Sequence, residues 1–138
     1  MSQIEEKPFT FVNQEGQLTD YINFTGYARA EFPNGDIYEG QYENGVKFGN
    51  GTYYHISRKE NVPNDVYKGE FQNNKKDGIG ILTVNLPQEQ KEEYYGEWKN
   101  DKMHGEGRYV YQNGDIYSGQ WQNGKNMELE YICFLKLK

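Results

Sequence analysis

The sequence is poor in the residues from which most catalytic and metal sites are built. Its single cysteine, Cys133, allows no disulfide within the chain, so we expect a reducing, cytoplasmic setting. The two histidines, His55 and His104, lie far apart and do not have the spacing of metal ligands. We therefore expect a protein that is not an enzyme and that uses no cofactor and no metal.

Long apolar runs and an excess of basic residues are also missing. No stretch approaches the roughly 20 apolar residues of a membrane span, and residues 1–7 lack the pattern of a secretory signal. A net charge of −6 argues against nucleic acid as a ligand, because nucleic acid binds basic surfaces. Lys75-Lys76 and Arg58-Lys59 are each followed by an acidic residue, so binding to acidic phospholipids is disfavoured as well.

Aromatic residues and glycine are abundant instead, with 13 tyrosines and 16 glycines. Many of them belong to one five-residue unit, in which a tyrosine, a glycine and an aromatic residue are separated by single residues. The unit occurs four times, at Tyr38–Tyr42, Tyr67–Phe71, Tyr94–Trp98 and Tyr117–Trp121. An internal repeat decides the architecture and makes binding a more frequent function than catalysis.

Each repeat has a second half, which begins at a constant distance from the first glycine. In the first three copies, glycines recur nine and eleven residues after the first glycine, as Gly49 and Gly51, Gly78 and Gly80, and Gly105 and Gly107. Residues that tolerate positive φ separate the two halves, at Asn44-Gly45, Asn73-Asn74, Asn100-Asp101 and Asn123-Gly124. We therefore predict that each repeat is a strand, a type I′ turn and a returning strand.

Alternation along the strands predicts one aromatic face and one polar face. Tyr94, Gly96 and Trp98 share one face, and Tyr95, Glu97 and Lys99 share the other. Glycine weakens a strand unless its missing side chain is needed. We expect aromatic rings to lie across the glycines, and we place Gly105 and Gly107 together on the aromatic face, as well as Gly78 and Gly80.

Two further segments depart from the basic repeat. Residues 26–36 match residues 105–115 position by position, which indicates the second half of an additional repeat whose first strand lies within residues 9–24. Insertions follow the second strand at about residues 55–66 and 85–93. The longer insertion is either a loop that binds a partner or a tolerated insertion.

This pattern resembles the MORN repeat (membrane occupation and recognition nexus), and the copy from Tyr94 to Asp115 resembles it most clearly. The resemblance implies an all-β fold, an elongated, twisted antiparallel meander of repeated β-hairpins with about nine to eleven strands. The residues that define the repeats are Tyr38, Gly40, Gly49, Gly51, Tyr67, Gly69, Gly78, Gly80, Tyr94, Gly96, Trp98, Gly105, Gly107, Tyr117, Gly119 and Trp121.

We divide the chain into residues 1–23, an extension or degenerate first hairpin, residues 24–126, the repeat array, and residues 127–138, a terminal strand. In the fourth copy Glu128 and Glu130 replace the paired glycines. The longest apolar run follows, with apolar residues on both faces of a strand, so it caps the array or docks on a partner. The candidate docking residues are Tyr131, Ile132, Phe134 and Leu135, although Lys136 and Lys138 would also suit a strand at a sheet edge.

The resemblance implies a structural scaffold that binds other proteins, and possibly further copies of itself, in a multi-subunit assembly. Similar repeat proteins indicate the cytoskeleton, with the cilium or axoneme and its radial spokes as candidate locations. The alternative is a peripheral membrane adaptor that binds acidic phospholipids, which the negative net charge disfavours.

Overall fold

A computed structural model describes residues 7–126 and 132–133, and all regular structure in these residues belongs to one antiparallel sheet. From β1 to β10 the strands lie in the sheet in their order along the chain, and β11 pairs with β9. This confirms the predicted all-β meander of hairpins. The strands are β1 (Thr10–Asn13), β2 (Gly26–Glu31), β3 (Ile37–Glu43), β4 (Val46–His55), β5 (Asp65–Gln72), β6 (Lys75–Asn85), β7 (Lys91–Lys99), β8 (Lys102–Val110), β9 (Ile116–Gln122), β10 (Lys125–Asn126) and β11 (Ile132–Cys133).

The tight turns form where the sequence predicts them. In the third repeat Asn100 and Asp101 have φ values of 48° and 67°, and the two central residues of the other three turns also have positive φ. Type I′ turns require this conformation, and their twist matches that of the strands they join. A different turn precedes β3, where Gly35 has a φ of 95° and donates its N–H to the Phe32 carbonyl at 2.9 Å.

The register aligns the glycines in a row that crosses the sheet. Gly96 lies opposite Gly107 on one side and opposite Gly80 on the other, and the same pairing continues through both neighbouring repeats. In β2 the row ends at an alanine. The full row is Ala28, Gly40, Gly51, Gly69, Gly80, Gly96, Gly107 and Gly119.

The core is a layer of aromatic rings on one face of this sheet. In β7 Tyr94, Gly96 and Trp98 are buried, and Tyr95 and Glu97 between them are exposed, which confirms the predicted alternation. We call the side of Tyr94 the aromatic face and the side of Glu97 the polar face. The rings of consecutive repeats meet edge to face at centroid distances of 5.0–5.2 Å. The order of contact is Tyr42, Tyr38, Phe71, Tyr67, Trp98, Tyr94, Trp121 and Tyr117.

One part of the predicted face assignment is wrong. A Cβ at Gly107 would lie 2.2 Å from the Tyr94 hydroxyl, as expected, but one at Gly105 would lie 2.2 Å from the Glu97 carboxylate on the polar face. Gly78 and Gly49 face Glu70 and Gln41 in the same way. The cause is a β-bulge, at which the register shifts between Gly96 and Trp98. Positive φ at the first glycine of each pair then directs the missing side chain to the other face.

The two insertions differ in structure. Residues 56–64 form a loop between β4 and β5. The second insertion mostly lengthens a hairpin, because Asn85 belongs to β6 and residues 91–93 belong to β7.

The ends of the array are built differently from its middle. β1 pairs with β2, so that Phe11 lies opposite Ala30, and the rings of Phe24 and Tyr42 pack against Phe11. At the other end Ile132 in β11 lies opposite Tyr117. Of the candidate docking residues, Tyr131, Phe134 and Leu135 lie outside the described residues, as does the side chain of Ile132.

Candidate functional site

The aromatic face offers little free surface, because its tyrosines are buried and hydrogen-bonded. Tyr38, Tyr67, Tyr94 and Tyr117 are each 0% exposed. Each hydroxyl donates to the backbone carbonyl three residues later, at 2.8–2.9 Å. Burial is the largest cause that raises the pKa of Tyr38, Tyr67 and Tyr94, so these phenols stay protonated.

Basic side chains on this face lie against the rings. The Nζ of Lys47 lies 4.8 Å from the Phe32 ring centroid and 5.4 Å from that of Tyr53. The Nζ of Lys76, at the same position of the next repeat, lies 5.2 Å from the Tyr67 centroid and 5.3 Å from that of Trp98. These are cation–π distances, and they hold both ammonium groups within the molecule.

Two of the acidic residues that stand two positions before a repeat tyrosine join neighbouring strands. Asp36 accepts hydrogen bonds from the Tyr53 hydroxyl at 2.8 Å and from the Ile56 N–H at 2.9 Å. Glu92 accepts the equivalent bonds, from the Tyr109 hydroxyl at 2.9 Å and from a backbone N–H at 3.0 Å. The sequence carried a signal for this role, since an acid precedes all four repeat tyrosines at the same offset.

The first of these acids, Asp36, forms a group of three titratable side chains with His55 and Lys76. Asp36 is 8% exposed, and its Oδ2 lies 3.6 Å from Nδ1 of His55. Nε2 of the same imidazole lies 3.4 Å from Nζ of Lys76. Burial is the largest cause that lowers the pKa of both His55 and Lys76. Sequence reasoning missed this group, because its members lie in different repeats.

A cleft of about 280 Å³ opens next to this group, under the insertion of residues 56–64. His55, Asp65 and Asn85 line it from the sheet, and Arg58 and Val62 line it from the loop. Asp65 accepts a hydrogen bond from the Asn85 N–H at 2.8 Å, and Asn64 accepts one from the Ser57 N–H at 2.8 Å. The two ends of the loop are therefore hydrogen-bonded to each other, and the Asn64 carbonyl also accepts from the Asn85 side-chain amide of β6 at 2.7 Å.

The polar face is the accessible one, and it carries a small apolar area. Tyr95 is 54% exposed and Ile79 is 45% exposed. Ile81 lies directly opposite Tyr95 and two residues from Ile79 on the same face. Lys68 and Arg108 flank this group, since Lys68 pairs with Ile81 and Arg108 pairs with Tyr95. We call Ile79, Ile81 and Tyr95 the Tyr95 patch; sequence analysis did not single it out.

Two other kinds of feature are absent from the described residues. Within residues 7–126 and 132–133, no three His, Cys, Asp or Glu side chains are grouped so that they could hold a metal ion. The same residues include no helix with the length and hydropathy that crossing a membrane requires.

Comparison with known proteins agrees with the repeat boundaries. The sequence model described as MORN repeat matches residues 38–56, 67–83, 94–116 and 117–127, so that every match begins at a repeat tyrosine. No curated protein matches the chain. The matched stretches cover half of the sequence and coincide with the strands that carry the aromatic face, and the chain belongs to the MORN-repeat family.

Proposed function

We propose that this protein is a non-catalytic module that binds other proteins and holds them in a larger assembly. The observation that carries the proposal is the Tyr95 patch, whose members Tyr95 and Ile79 are 54% and 45% exposed next to each other on the polar face. Exposed apolar side chains with a polar rim are typical of protein-binding surfaces, and tyrosine is enriched among the residues that contribute most to binding.

The rest of the molecule supports this role by holding the patch rigid. Tyr95 stands between two buried residues, Tyr94 and Gly96, so its backbone is fixed by the aromatic layer on the opposite face. Strands β6 and β7 pair without interruption from Gly78 to Asn85. A preorganised surface loses little conformational entropy when a partner binds.

A variant of the patch tests the proposal. We would replace Tyr95 by Ser and Ile79 by Thr in a tagged full-length chain, and measure by quantitative mass spectrometry which proteins copurify from cells that produce it. Both side chains are exposed, so the variant should remain folded. We expect it to lose a defined set of proteins that the wild-type chain retains.

Tyr27→Ser supplies the matched control. Tyr27 lies on the same face near the other end of the sheet and is 45% exposed. This control should retain the proteins that the patch variant loses. An unchanged set with the patch variant would contradict binding through this surface.

The location of the assembly is a finer proposal. We place it in the cytoskeleton, in a cilium or axoneme where the cell has one, on the basis of what similar repeat proteins imply. Detergent extraction of cells that express the tagged chain tests it. Retention in the detergent-resistant pellet with cytoskeletal proteins supports the proposal, and full release into the soluble fraction contradicts it.

Binding to acidic phospholipids is less well supported. Lys47 and Lys76 lie over aromatic rings, and Arg29 forms ion pairs with Glu31 and Glu39. These cations are engaged within the molecule, whereas lipid headgroups bind clusters of exposed basic residues. We therefore expect no sedimentation with phosphatidylserine vesicles at physiological salt, and sedimentation would favour the membrane adaptor instead.

A further inference from the structure

Lys76 is held in an unusual environment for a lysine amine. Its Nζ lies 5.2 Å from the Tyr67 ring centroid and 5.3 Å from that of Trp98, with Nε2 of His55 at 3.4 Å. The other imidazole nitrogen, Nδ1, faces the Asp36 carboxylate at 3.6 Å. Asp36, His55 and Lys76 thus form a chain of polar atoms in which a base contacts the amine and an acid orients the base.

Carboxylates from several elements of the fold contribute to the charge that the Lys76 amine experiences. Lys76 is on β6, His55 is on β4, and carboxylates face the amine from three directions. These are Asp36 before β3, Asp65 on β5 and Asp101 in the turn between β7 and β8. The carboxylates raise the pKa of Lys76, but burial lowers it more, so the net shift is downward.

We propose that Lys76 is a site of covalent acylation, and that its amine reacts with small acyl thioesters faster than the other lysines of the described residues. The neutral amine is the nucleophile, and lysine is activated where it is desolvated and next to a base. His55 supplies that base, since its Nε2 is within hydrogen-bonding distance of the amine and its Nδ1 faces the Asp36 carboxylate at 3.6 Å. The side chain of His55 is 42% exposed, which lets it exchange protons with water.

The reaction is balanced by the groups named. The Nζ lone pair attacks the thioester carbonyl carbon, a C–N bond forms, and the C–S bond breaks. The proton that leaves the nitrogen passes to Nε2 of His55 and then to the departing thiolate. The products are an amide on Lys76 and a free thiol, and His55 returns to its neutral form.

Acylation would change the contact between two repeats. Lys76 belongs to the second repeat, and Trp98 belongs to the third. An amide carries no charge, so the cation–π contact with both rings would be lost. Its acyl group is also larger than an ammonium and would need more space beside the two rings.

The test is a competition between lysines of the same molecule. The folded full-length chain would be treated with a limiting amount of the acetyl thioester of N-acetylcysteamine, and the acetylated peptides quantified by mass spectrometry. Lys68, exposed on the polar face of the adjacent strand β5, serves as the internal reference. We expect Lys76 to react at least about fivefold faster than Lys68, because it is desolvated and contacts a base.

Two further measurements assign the effect to this geometry. His55→Gln should reduce the rate at Lys76 to that of Lys68 or below, and leave Lys68 unchanged. In urea, where the cluster is dispersed, the two lysines of the wild-type chain should react at equal rates. A folded wild-type chain in which Lys76 reacts no faster than Lys68 would overturn the proposal, as would an advantage that persists in urea or in a folded His55→Gln variant.

Discussion

At the scale of single residues, the glycines and the tyrosines of each repeat depend on one another. The Tyr94 ring lies over Gly96 and Gly107, and its hydroxyl reaches past them to the Glu97 carbonyl at 2.8 Å. Any side chain at either glycine would occupy the space of the ring. The ring in turn covers backbone that would otherwise be exposed, so both residue types follow from one packing requirement.

The first prediction concerns this contact. Gly107→Ala would place a Cβ 2.2 Å from the Tyr94 hydroxyl and 2.5 Å from the ring, in a site enclosed by Trp98 and Trp121. We expect the free energy of unfolding, measured by urea denaturation, to fall by about 3 kcal/mol. Ser118→Ala, on the polar face of the next strand, should change it by less than about 0.5 kcal/mol. Equal effects would show that the ring does not occupy this space.

Tyr42 allows a second prediction, with the opposite sign. Its hydroxyl is buried, and no atom in the described part of the chain forms a hydrogen bond with it. The next repeat has a phenylalanine, Phe71, at the same position. Because an unsatisfied buried polar group is costly, we expect Tyr42→Phe to raise the free energy of unfolding by about 1 kcal/mol.

Tyr38→Phe is the matched comparison for that variant. The Tyr38 hydroxyl donates to the Gln41 carbonyl at 2.8 Å, so its removal should lower the free energy of unfolding by about 1 kcal/mol. Differential scanning calorimetry of both variants measures these two changes in stability. A loss of stability in Tyr42→Phe would mean that its hydroxyl has a partner.

At the scale of the hairpin, the tight turns connect one repeat to the next as well as reversing the chain. The Asp101 N–H donates to the Lys76 carbonyl at 3.0 Å, and its Oδ1 accepts from the Lys76 N–H at 2.8 Å. Asn74 forms the same two bonds with Lys47 in the preceding repeat, at 3.1 Å and 2.8 Å. In the fourth repeat Gly124 keeps only the bond from its N–H, to Met103 at 2.9 Å.

We therefore predict a cost for removing the Asp101 side chain. Asp101→Gly keeps the positive φ and the N–H bond but loses a charged acceptor, which typically contributes about 1.5–3 kcal/mol. Glycine adopts the positive φ of this turn without strain, which offsets part of that loss. We expect the free energy of unfolding, measured by urea denaturation, to fall by about 1 kcal/mol in total. Asp101→Asn should behave like the wild type, because Asn74 fills the same role. If all three proteins unfold at the same urea concentration, the turn does not stabilise its neighbour.

The hairpins could be predicted from sequence because their determinants are local. Alternation fixes the face of Tyr94 and Trp98, and residues such as Asn44 and Gly45 specify a type I′ turn. The bulge at Gly105 could not be predicted, because it is a shift in the pairing between the strand of Glu97 and the returning strand. Alternation along a single strand does not specify that pairing. The cluster of Asp36, His55 and Lys76 was missed for a related reason: it forms only when strands of different repeats pair in one register.

At the scale of the whole molecule, the sheet is a linear array in which each repeat contacts its neighbours. The edge-to-face rings run through all four repeats, and the tight turns of the second, third and fourth repeats hydrogen-bond to the returning strand of the repeat before. Stability in such arrays is the sum of terms within repeats and terms between them. The aromatic layer supplies both kinds of term, so conditions that ionise its tyrosines should affect the entire sheet.

This gives the last prediction, a loss of stability at high pH. Burial is the largest cause that raises the pKa of Tyr38, Tyr42, Tyr67, Tyr94 and Tyr109 above the value of 10.0 that each has when exposed. In the unfolded chain these phenols ionise near pH 10, whereas in the folded chain they stay neutral. The stabilisation is therefore complete below pH 10 and is lost as the pH rises above it. The lowered pKa of Lys76 acts in the opposite direction, but it is one group against five.

Urea denaturation at a series of pH values, with tyrosinate absorbance recorded in parallel, measures this effect. We expect the unfolding midpoint to fall steeply above pH 10, and the buried tyrosines to ionise only as the sheet unfolds. Tyr67→Phe removes one of the five groups and should make the fall less steep, even though it also lowers stability at neutral pH. The contrary result is ionisation of all 13 tyrosines near pH 10 while the sheet stays intact. That outcome would show that the rings are exposed to water and that the aromatic layer does not hold the repeats together.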